Sequence, residues 1–193
     1  MIEIPDALWS QLLNSFALQT PHLERIAYLD GHRLPNGRGI VTTVTIPDAE
    51  CHPGWYTVPS GKMSEAGQHL RSRGMMRLAQ VHTHGNAETR HSPRDDRLAY
   101  SQLDGALSIV LPFHANHRPR PFDAAVHIRE PNGWRLLSMD EVDDVIDVVP
   151  AVLDFRRETW RPSRPVTKVI SMVNCLRSIA RRVWWSRSRS SRL

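Results

Sequence analysis

Two histidines and an aspartate stand at a spacing that is typical of a catalytic metal site. His82 and His84 are separated by one residue at the end of an apolar segment, and Asp95 follows in a polar region. Side chains two residues apart on a strand point to the same side, so both imidazoles could bind one ion. Ser92 and Pro93 are typical of the cap and first position of a helix, which places Asp95 in the first turn. We therefore expect the Asp95 carboxylate to face back towards the end of the strand.

Two imidazoles and one carboxylate form the ligand set of a catalytic zinc rather than a structural one. At ligand distances of about 2 Å they leave the fourth tetrahedral position open. A water in that position has its pKa lowered to about 7 and becomes a nucleophile. Hydrolysis also needs a general base, for which we predict Glu24, and a donor to the oxyanion, for which we predict Ser92. Glu50 and Glu65 are the alternative bases, but they fall in a predicted loop and a predicted helix.

Each of these residues also has a structural interpretation. A His-x-His pair on a strand more often packs or faces solvent, and Ser-Pro-Arg-Asp by itself is an ordinary helix start. Glu24 alone suits a solvated strand position. Only the joint spacing favours a metal. The remaining candidates lack such spacing. We expect His91, His114 and His117 to be exposed loop residues, with the lining of a substrate groove as the alternative, and Cys51 and His52 to be structural.

The elements that must position these residues alternate between helices and strands, which predicts a mixed α/β fold. Apolar periodicity predicts helices over residues 6–17, 64–73, 93–103 and 140–148. Apolar and β-branched runs predict strands over residues 24–30, 39–46, 75–84, 106–113, 122–129 and 134–137. Glu24 opens the first of these strands and the two histidines end the third. The base and the ligands would therefore meet if those strands are neighbours.

Charge divides the chain into a mildly acidic body and a basic end. All 20 acidic residues of the 193-residue chain lie at or before Glu158, and nine of its 25 basic residues follow. We predict a catalytic domain over residues 1–150, a linker over residues 151–165, and a basic amphipathic helix with a disordered end over residues 166–193. The basic segment suits an anionic membrane surface, an acidic partner or packing on its own domain. Nucleic acid is not favoured, because the body is acidic and has no base-reading motif.

Other features of the sequence predict a cytoplasmic location. Glu3 lies near the N-terminus with no basic segment ahead of the apolar residues, unlike a secretory signal. The sequence contains no run of about 18 apolar residues, which a membrane-spanning helix would need. The two cysteines, Cys51 and Cys175, are far apart, which predicts a reducing compartment and no disulfide framework.

The motif resembles that of the JAMM (MPN-plus, JAB domain) zinc metalloproteases. That signature is an upstream Glu, then His-(Ser/Thr)-His, seven residues, Ser, two residues and Asp. Here it stands as Glu24, then His82-Thr83-His84, GNAETRH, Ser92, Pro93-Arg94 and Asp95. The element order is similar over about residues 6–148. Gly85 departs from the Pro that often follows the second His, and it permits more backbone conformations.

The resemblance implies an MPN/JAB-type (cytidine-deaminase-like) fold, in which helices flank a curved β-sheet. It implies Zn²⁺ bound by His82, His84 and Asp95, with Glu24 as general base and Ser92 supporting the oxyanion. It also implies a deubiquitinase-like isopeptidase that cuts the bond after the C-terminus of a ubiquitin-like protein, as bacterial members linked to ubiquitin-like conjugation systems do. Activating and conjugating enzymes of the same pathway would then be further partners.

Two questions about function stay open at this point. The first is whether the chain is instead a non-catalytic MPN-type scaffold, although a scaffold has no need of the complete ligand set. The second is how a substrate would be recognised. We expect an extended tail with a small residue such as Gly near the cut, flanked by the loops over residues 47–61 and 114–121.

Overall fold

The computed structural model describes residues 1–19 and 21–153, and one large sheet organises them. The helices are α1 (Asp6–Ala17), α2 (Ser60–Ser72), α3 (Pro93–Leu98) and α4 (Met139–Val145). None of the described helices combines the length and the apolar character that crossing a bilayer requires. The strands are β1 (Ile2–Pro5), β2 (Ile26–Arg33), β3 (Gly39–Thr45), β4 (Glu50–His52), β5 (Trp55–Thr57), β6 (Met76–Thr83), β7 (Leu107–Leu111), β8 (Ala125–Glu130), β9 (Gly133–Leu136) and β10 (Ile146–Val149). The predicted linker beyond residue 153 and the predicted helix over residues 166–193 lie outside the described residues.

Eight strands form the sheet in the order β10-β1-β3-β2-β6-β7-β8-β9. β6 lies inside it, antiparallel to β2 and parallel to β7. The sheet is strongly curved and is flanked by helices. The expected mixed α/β class with a curved, helix-flanked sheet is therefore confirmed.

The sheet is buried on both of its faces near the middle. On one face, α1 buries four apolar residues at helical spacing, namely Trp9, Leu12, Leu13 and Phe16. They form one cluster with residues of β1, β2, β3, β6 and β7. Successive residues of a strand point to opposite faces, and β2 accordingly sends Ala27 and Leu29 to this cluster but Ile26 and Tyr28 to a second, smaller one with Tyr56. Because both faces of the sheet are covered near its middle, β6 has little contact with water.

Two strands at one edge of the sheet were not predicted from the sequence. β1 and β10 run parallel, and Ile2 lies opposite Ile146. The acidic helix that was predicted over residues 140–148 ends at Val145, where β10 begins. Each of these strands has four residues, and its pairing partner lies at the other end of the described chain. Local sequence contains little signal for such pairing, because strand preference depends on what the strand packs against.

The segments around the predicted site also differ from their prediction. The predicted loop over residues 47–61 contains the β4–β5 hairpin and the start of α2. The helix predicted over residues 93–103 ends at Leu98, because Tyr100 leaves the helix and its backbone N–H donates to the Gln80 side-chain oxygen. Glu24 precedes β2 rather than opening it, and its backbone N–H donates to the His52 carbonyl of the hairpin at 2.8 Å.

We expect Gly31→Ala to lower the free energy of unfolding by about 1–3 kcal/mol, since β2 and β3 would have to move apart. The register of β2 shifts at Gly31, and a Cβ atom there would lie 2.9 Å from the Ile40 carbonyl carbon and closer still to its oxygen. Chemical denaturation measures the change. Gly61→Ala is the matched control, because a Cβ atom at that position has nothing within 4 Å. Equal stability of the two variants would contradict the prediction.

Candidate metal centre

The two histidines lie where β6 ends beside β7. His82 is fully buried on β6, with Val110 of β7 opposite it. His84 follows the last residue of the strand, but its N–H still donates to the Leu111 carbonyl at 2.9 Å and so continues the pairing with β7. The two imidazole rings are 5.1 Å apart between centroids. The alternation of side chains along the extended chain thus brings both rings to one side.

Asp95 reaches the same point because of the way α3 begins. Ser92 caps the helix: its Oγ accepts from the Asp95 N–H at 3.2 Å, and its own N–H donates to Asp95 Oδ2 at 2.7 Å. This reciprocal pair turns the Asp95 side chain back over the first turn. Asp95 Oδ1 lies 3.6 Å from His82 Nε2, and Oδ2 lies 3.5 Å from His84 Nε2.

These three side chains could hold a metal ion. One ligand atom from each of His82, His84 and Asp95 lies within 4.8 Å of the other two. Glu88 supports this arrangement, because its backbone carbonyl lies 2.7 Å from His84 Nδ1 and can only accept a hydrogen bond. Nδ1 therefore carries the proton, and a neutral His84 turns the lone pair of Nε2 towards Asp95.

The chemistry of the donor atoms fits a cation. Neither nitrogen of buried His82 has a hydrogen-bond partner among residues 1–19 and 21–153. Buried polar atoms without a partner are rare, because leaving one unpaired costs about 1–3 kcal/mol. The Nε2 atoms of His82 and His84 and the Asp95 carboxylate thus face one point, where a bound metal ion would accept a lone pair from each.

The pKa values of His82 and Asp95 favour the protonation states that metal binding needs, whereas that of His84 does not. Burial lowers the pKa of His82 to about 3, so this ring is neutral near pH 7. Burial opposes ionisation of Asp95, but the hydrogen bond with His84, the neighbouring His82 and the hydrogen bonds with Ser92 outweigh it and hold its pKa well below the usual range. Burial also disfavours the charged form of His84, but interactions with Asp95 and the Glu88 carbonyl prevail and raise its pKa. His84 is therefore the ligand at which protons compete with a metal.

A cavity of about 510 Å³ opens beside these ligands, and Glu24 lines it together with His84 and Ser92. Glu24 is 6% exposed, and burial raises its pKa to about 7, against the opposing effect of His84. A carboxyl group with such a pKa can both accept and release a proton near neutral pH. The alternative bases do not line this cavity: Glu50 is exposed on β4, and Glu65 is exposed on α2 beside Lys62.

Ser92 lies at the rim of the same cavity. Ser92 is exposed, and its Oγ already accepts a hydrogen bond from the Asp95 N–H as part of the helix cap. Among the described residues, its hydroxyl hydrogen has no acceptor. The group is therefore placed to donate to something in the cavity while it caps α3. The structure thus brings all five residues predicted from the sequence to one place.

Of the two loops predicted to flank the site, only one lines the cavity. Pro53 and Gly54, at the tip of the β4–β5 hairpin, are lining residues, whereas residues 114–121 contribute none. The second loop instead packs behind the first turn after His84. A Cβ atom at Gly85 would lie 2.9 Å from His114 Nε2, so glycine lets the chain pass close to this ring.

The hairpin itself is tied to α3. The Trp55 ring is stacked on His52 at 3.7 Å between centroids, and the Arg94 guanidinium lies 4.3 Å from its centre. Arg94 also donates to Thr57 Oγ1 at 2.8 Å. His52 thus has the structural role that was expected of it, and the hairpin and the Asp95 helix form one unit around the cavity.

The expectation that His91 is an exposed loop residue is wrong, and His91 instead lines the cavity, which was the alternative. Its side chain is 4% exposed and stacks on His127 at 3.9 Å, while His114 is half-buried and His117 exposed. Sequence analysis also missed Gln80 and Ser108, which are hydrogen-bonded to each other. A signal existed for these two: each is a polar residue within an otherwise apolar strand, and Gln80 precedes His82 by two positions, so it shares its face.

Comparisons with known proteins support the fold alone. No model of a known protein family matches the sequence, and no curated protein matches it. The structure is similar to the solution structure of protein DSY2949 from Desulfitobacterium hafniense, with a TM-score of 0.58, 18% identity and coverage of 79% of this chain and 95% of that one. A weaker likeness, with a TM-score of 0.42, 16% identity and coverage of 77% and 97%, is to AF2198, a JAB1/MPN domain protein from Archaeoglobus fulgidus.

We expect the purified chain to bind one zinc ion, and the double variant His82→Ala/His84→Ala to bind none, because a single remaining carboxylate cannot retain the ion. Elemental analysis after dialysis measures the stoichiometry. The variant His32→Ala/His69→Ala is the matched control, because it removes two exposed imidazoles. Stoichiometric zinc in the first double variant would contradict the ligand assignment.

We expect Glu24→Gln to stabilise the metal-free protein, and to do so more at pH 8 than at pH 5. The Glu24 pKa rises from 4.5 to about 7 in the folded protein, so the folded state binds this proton more tightly. Stability contributed by the protonated group is present below pH 4.5 and is lost as the pH rises to about 7. Glutamine mimics the protonated form, and we expect its advantage to reach about 1–3 kcal/mol.

Denaturation in the presence of a chelator at both pH values measures this difference. Glu65→Gln is the control, because Glu65 is exposed on α2. An equal stabilisation by Glu24→Gln at pH 5 and pH 8 would contradict the raised pKa of Glu24.

Proposed function

We propose that this chain is a zinc-dependent hydrolase of the JAMM type that cuts the peptide or isopeptide bond after the C-terminus of a ubiquitin-like protein. One observation supports the proposal most: His82, His84 and Asp95 converge beside a cavity that Glu24 and Ser92 also line. A set of three ligands leaves one coordination position open, as a catalytic metal requires. A buried carboxyl group with a pKa of about 7 beside it is what catalysis adds.

His82, His84 and Asp95 would hold the ion. A zinc ion in such a site supplies Lewis-acid chemistry, since it lowers the pKa of a coordinated water and polarises a carbonyl group. His84 is kept in the tautomer that binds through Nε2 by the Glu88 carbonyl. Asp95 is kept ionised and pointed at both rings by the Ser92 cap.

Glu24 would act as the proton carrier. As the water oxygen attacks the carbonyl carbon, a water proton passes to the Glu24 carboxylate. The same proton then passes to the leaving nitrogen as the C–N bond breaks, which regenerates the carboxylate. In the metal-free site the Glu24 pKa is about 7, and a bound cation would favour the charged form that accepts the proton. The Ser92 hydroxyl would donate to the substrate oxygen as negative charge develops there.

The β4–β5 hairpin suits recognition of an extended tail. Its tip, Pro53 and Gly54, lines the cavity, and its short strands pair only with each other among the described residues. An extended peptide can add to such an edge through backbone hydrogen bonds, whatever its side chains. A glycine near the cut would let the backbone approach the ligands closely. Further partners would be the activating and conjugating enzymes of the same pathway in the cytoplasm, with the basic segment over residues 166–193 binding an acidic partner or membrane surface.

We expect an intact ubiquitin-like fusion to be cut directly after its C-terminal residue, and to be cut far better than a peptide that bears only its tail. Docking of the folded modifier would supply binding energy that the peptide lacks. Glu24→Gln is the control: it should keep its zinc but lose about 10²–10⁴-fold in turnover, since the base is not a ligand. Mass spectrometry of the products and initial rates measure both.

Three other results would each contradict part of this proposal. Equal rates on peptide and fusion would indicate a general peptidase. Wild-type turnover by Glu24→Gln would remove Glu24 as the base. A zinc-loaded protein that binds the modifier but cuts nothing would favour the scaffold interpretation.

A further inference from the structure

A chain of hydrogen bonds lies behind the metal centre and links it to the sheet. The Tyr100 N–H donates to Gln80 Oε1 at 3.0 Å, and Gln80 Nε2 donates to Ser108 Oγ at 2.9 Å. Ser108 Oγ lies 2.8 Å from His91 Nε2, and His91 Nδ1 lies 3.0 Å from Asp96 Oδ1. This series of hydrogen bonds therefore runs from the segment after α3, through β6 and β7, and back to the first turn of α3.

The direction of every bond in this chain follows from its two ends. A backbone N–H only donates, so Gln80 must use its oxygen for Tyr100 and its NH₂ group for Ser108. A carboxylate only accepts, so His91 carries its proton on Nδ1 and leaves Nε2 as an acceptor for the Ser108 hydroxyl. Burial lowers the pKa of His91, although Asp96 opposes this, which is consistent with the neutral ring that the scheme needs. Each buried member of the chain thus has a partner.

His91 is also fixed through its backbone and its ring face. Its N–H donates to His127 Nε2 at 3.3 Å, and the two rings are stacked at 3.9 Å with an angle of 16° between their planes. His127 lies on β8, opposite Ser108 of β7. The loop that leads into α3 is therefore attached to two interior strands at the position directly before Ser92.

These contacts hold Asp95 through residues that precede it and follow it in the sequence. On one side, His91 is followed by Ser92, whose N–H donates to Asp95 Oδ2 at 2.7 Å. On the other side, Asp96 is held by the His91 ring. Movement of the His91 side chain would therefore move both the donor that orients the Asp95 carboxylate and the residue next to it.

Asp96, His91 and Ser108 stand in the order of a nucleophilic triad, but Ser108 is not a nucleophile. Its side chain is fully buried on β7 and does not line the cavity, and its oxygen already accepts from Gln80. No substrate carbonyl can reach it. The same geometry that activates a serine elsewhere here connects a helix to a sheet.

We propose that His91 is a positioning residue that sets the place of the metal ligand Asp95, by joining Asp96 of α3 to Ser108 of β7. The proposal rests on the zinc site of the proposed function. Partners that orient metal ligands typically contribute about 10–100-fold to metal affinity. A residue that only stabilises the fold would leave the affinity of the folded protein unchanged.

The test uses the full chain, freed of metal and titrated with Zn²⁺ against a chromogenic chelator. We expect His91→Ala to weaken zinc binding by about 10–100-fold. We also expect the visible spectrum of the Co²⁺-loaded variant to change, because the carboxylate would no longer be held in its geometry. His91→Asn keeps an amide group that can donate to Asp96, and it should bind zinc more tightly than His91→Ala.

Controls separate this role from stability and from the proposed function. Val142→Ala opens a cavity in buried α4, away from these contacts, and should lower the melting temperature without changing zinc affinity. Wild-type zinc affinity and an unchanged Co²⁺ spectrum in His91→Ala would overturn the proposal while leaving the zinc site intact. His91→Asn as weak as His91→Ala would overturn the role of Asp96. If the alanine variant does not fold, His91→Asn is compared with the wild-type protein, and an equal zinc affinity and Co²⁺ spectrum would overturn the role of the contact with Ser108. Absence of zinc binding by the wild-type chain would instead overturn the proposed function itself.

Discussion

The structure depends on one constraint: the side chains of His82, His84 and Asp95 must meet at one largely buried point. His82 is fully buried, and neither of its nitrogens has a partner among the described residues. The His84 Nε2 lone pair and the Asp95 carboxylate face the same point. Such an arrangement is costly in a dry interior. A cation would offset this cost, and so would a proton on His84, whose pKa is raised despite its burial by interactions with Asp95 and the Glu88 carbonyl. His82 stays neutral, because burial lowers its pKa to about 3.

The fold meets this constraint by placing the ligands on elements that cannot easily move. β6 is buried from Leu78 to Thr83 and is paired on both sides, so His82 is held by the interior of the sheet. Asp95 is on a helix of only six residues, which by itself would be marginal. The helix is held in place by the Ser92 cap, by the contact of Arg94 with the hairpin and by the hydrogen bond between His91 and Asp96.

Two carboxyl groups beside the same histidines have opposite properties because their surroundings differ. Asp95 accepts from the Ser92 N–H and faces two imidazoles, which outweigh its burial and keep it charged. Glu24 is buried with less compensation from His84, so its pKa rises to about 7. A ligand must be ionised and a base must exchange its proton, and pairs of groups whose environments separate their pKa values in this way are typical of catalytic sites.

Local patterns determined the parts of this protein that follow from near neighbours in the sequence. The alternation of a strand brought His82 and His84 to one side, and the Ser92–Pro93 start of a helix turned Asp95 towards them, because both effects act over two or three residues. The mixed α/β class followed likewise from periodicity. The β1–β10 pair and the buried His91 did not, since each is defined by a partner far along the chain: Ile146 for Ile2, and Ser108 and His127 for His91. The β4–β5 hairpin is local, with His52 opposite Trp55, but its strands of three residues are too short to show a strand pattern. Tertiary structure alone decided the β1–β10 pair and the position of His91, because burial and long-range hydrogen bonds, rather than the local propensity of a residue, determine where such a segment is stable.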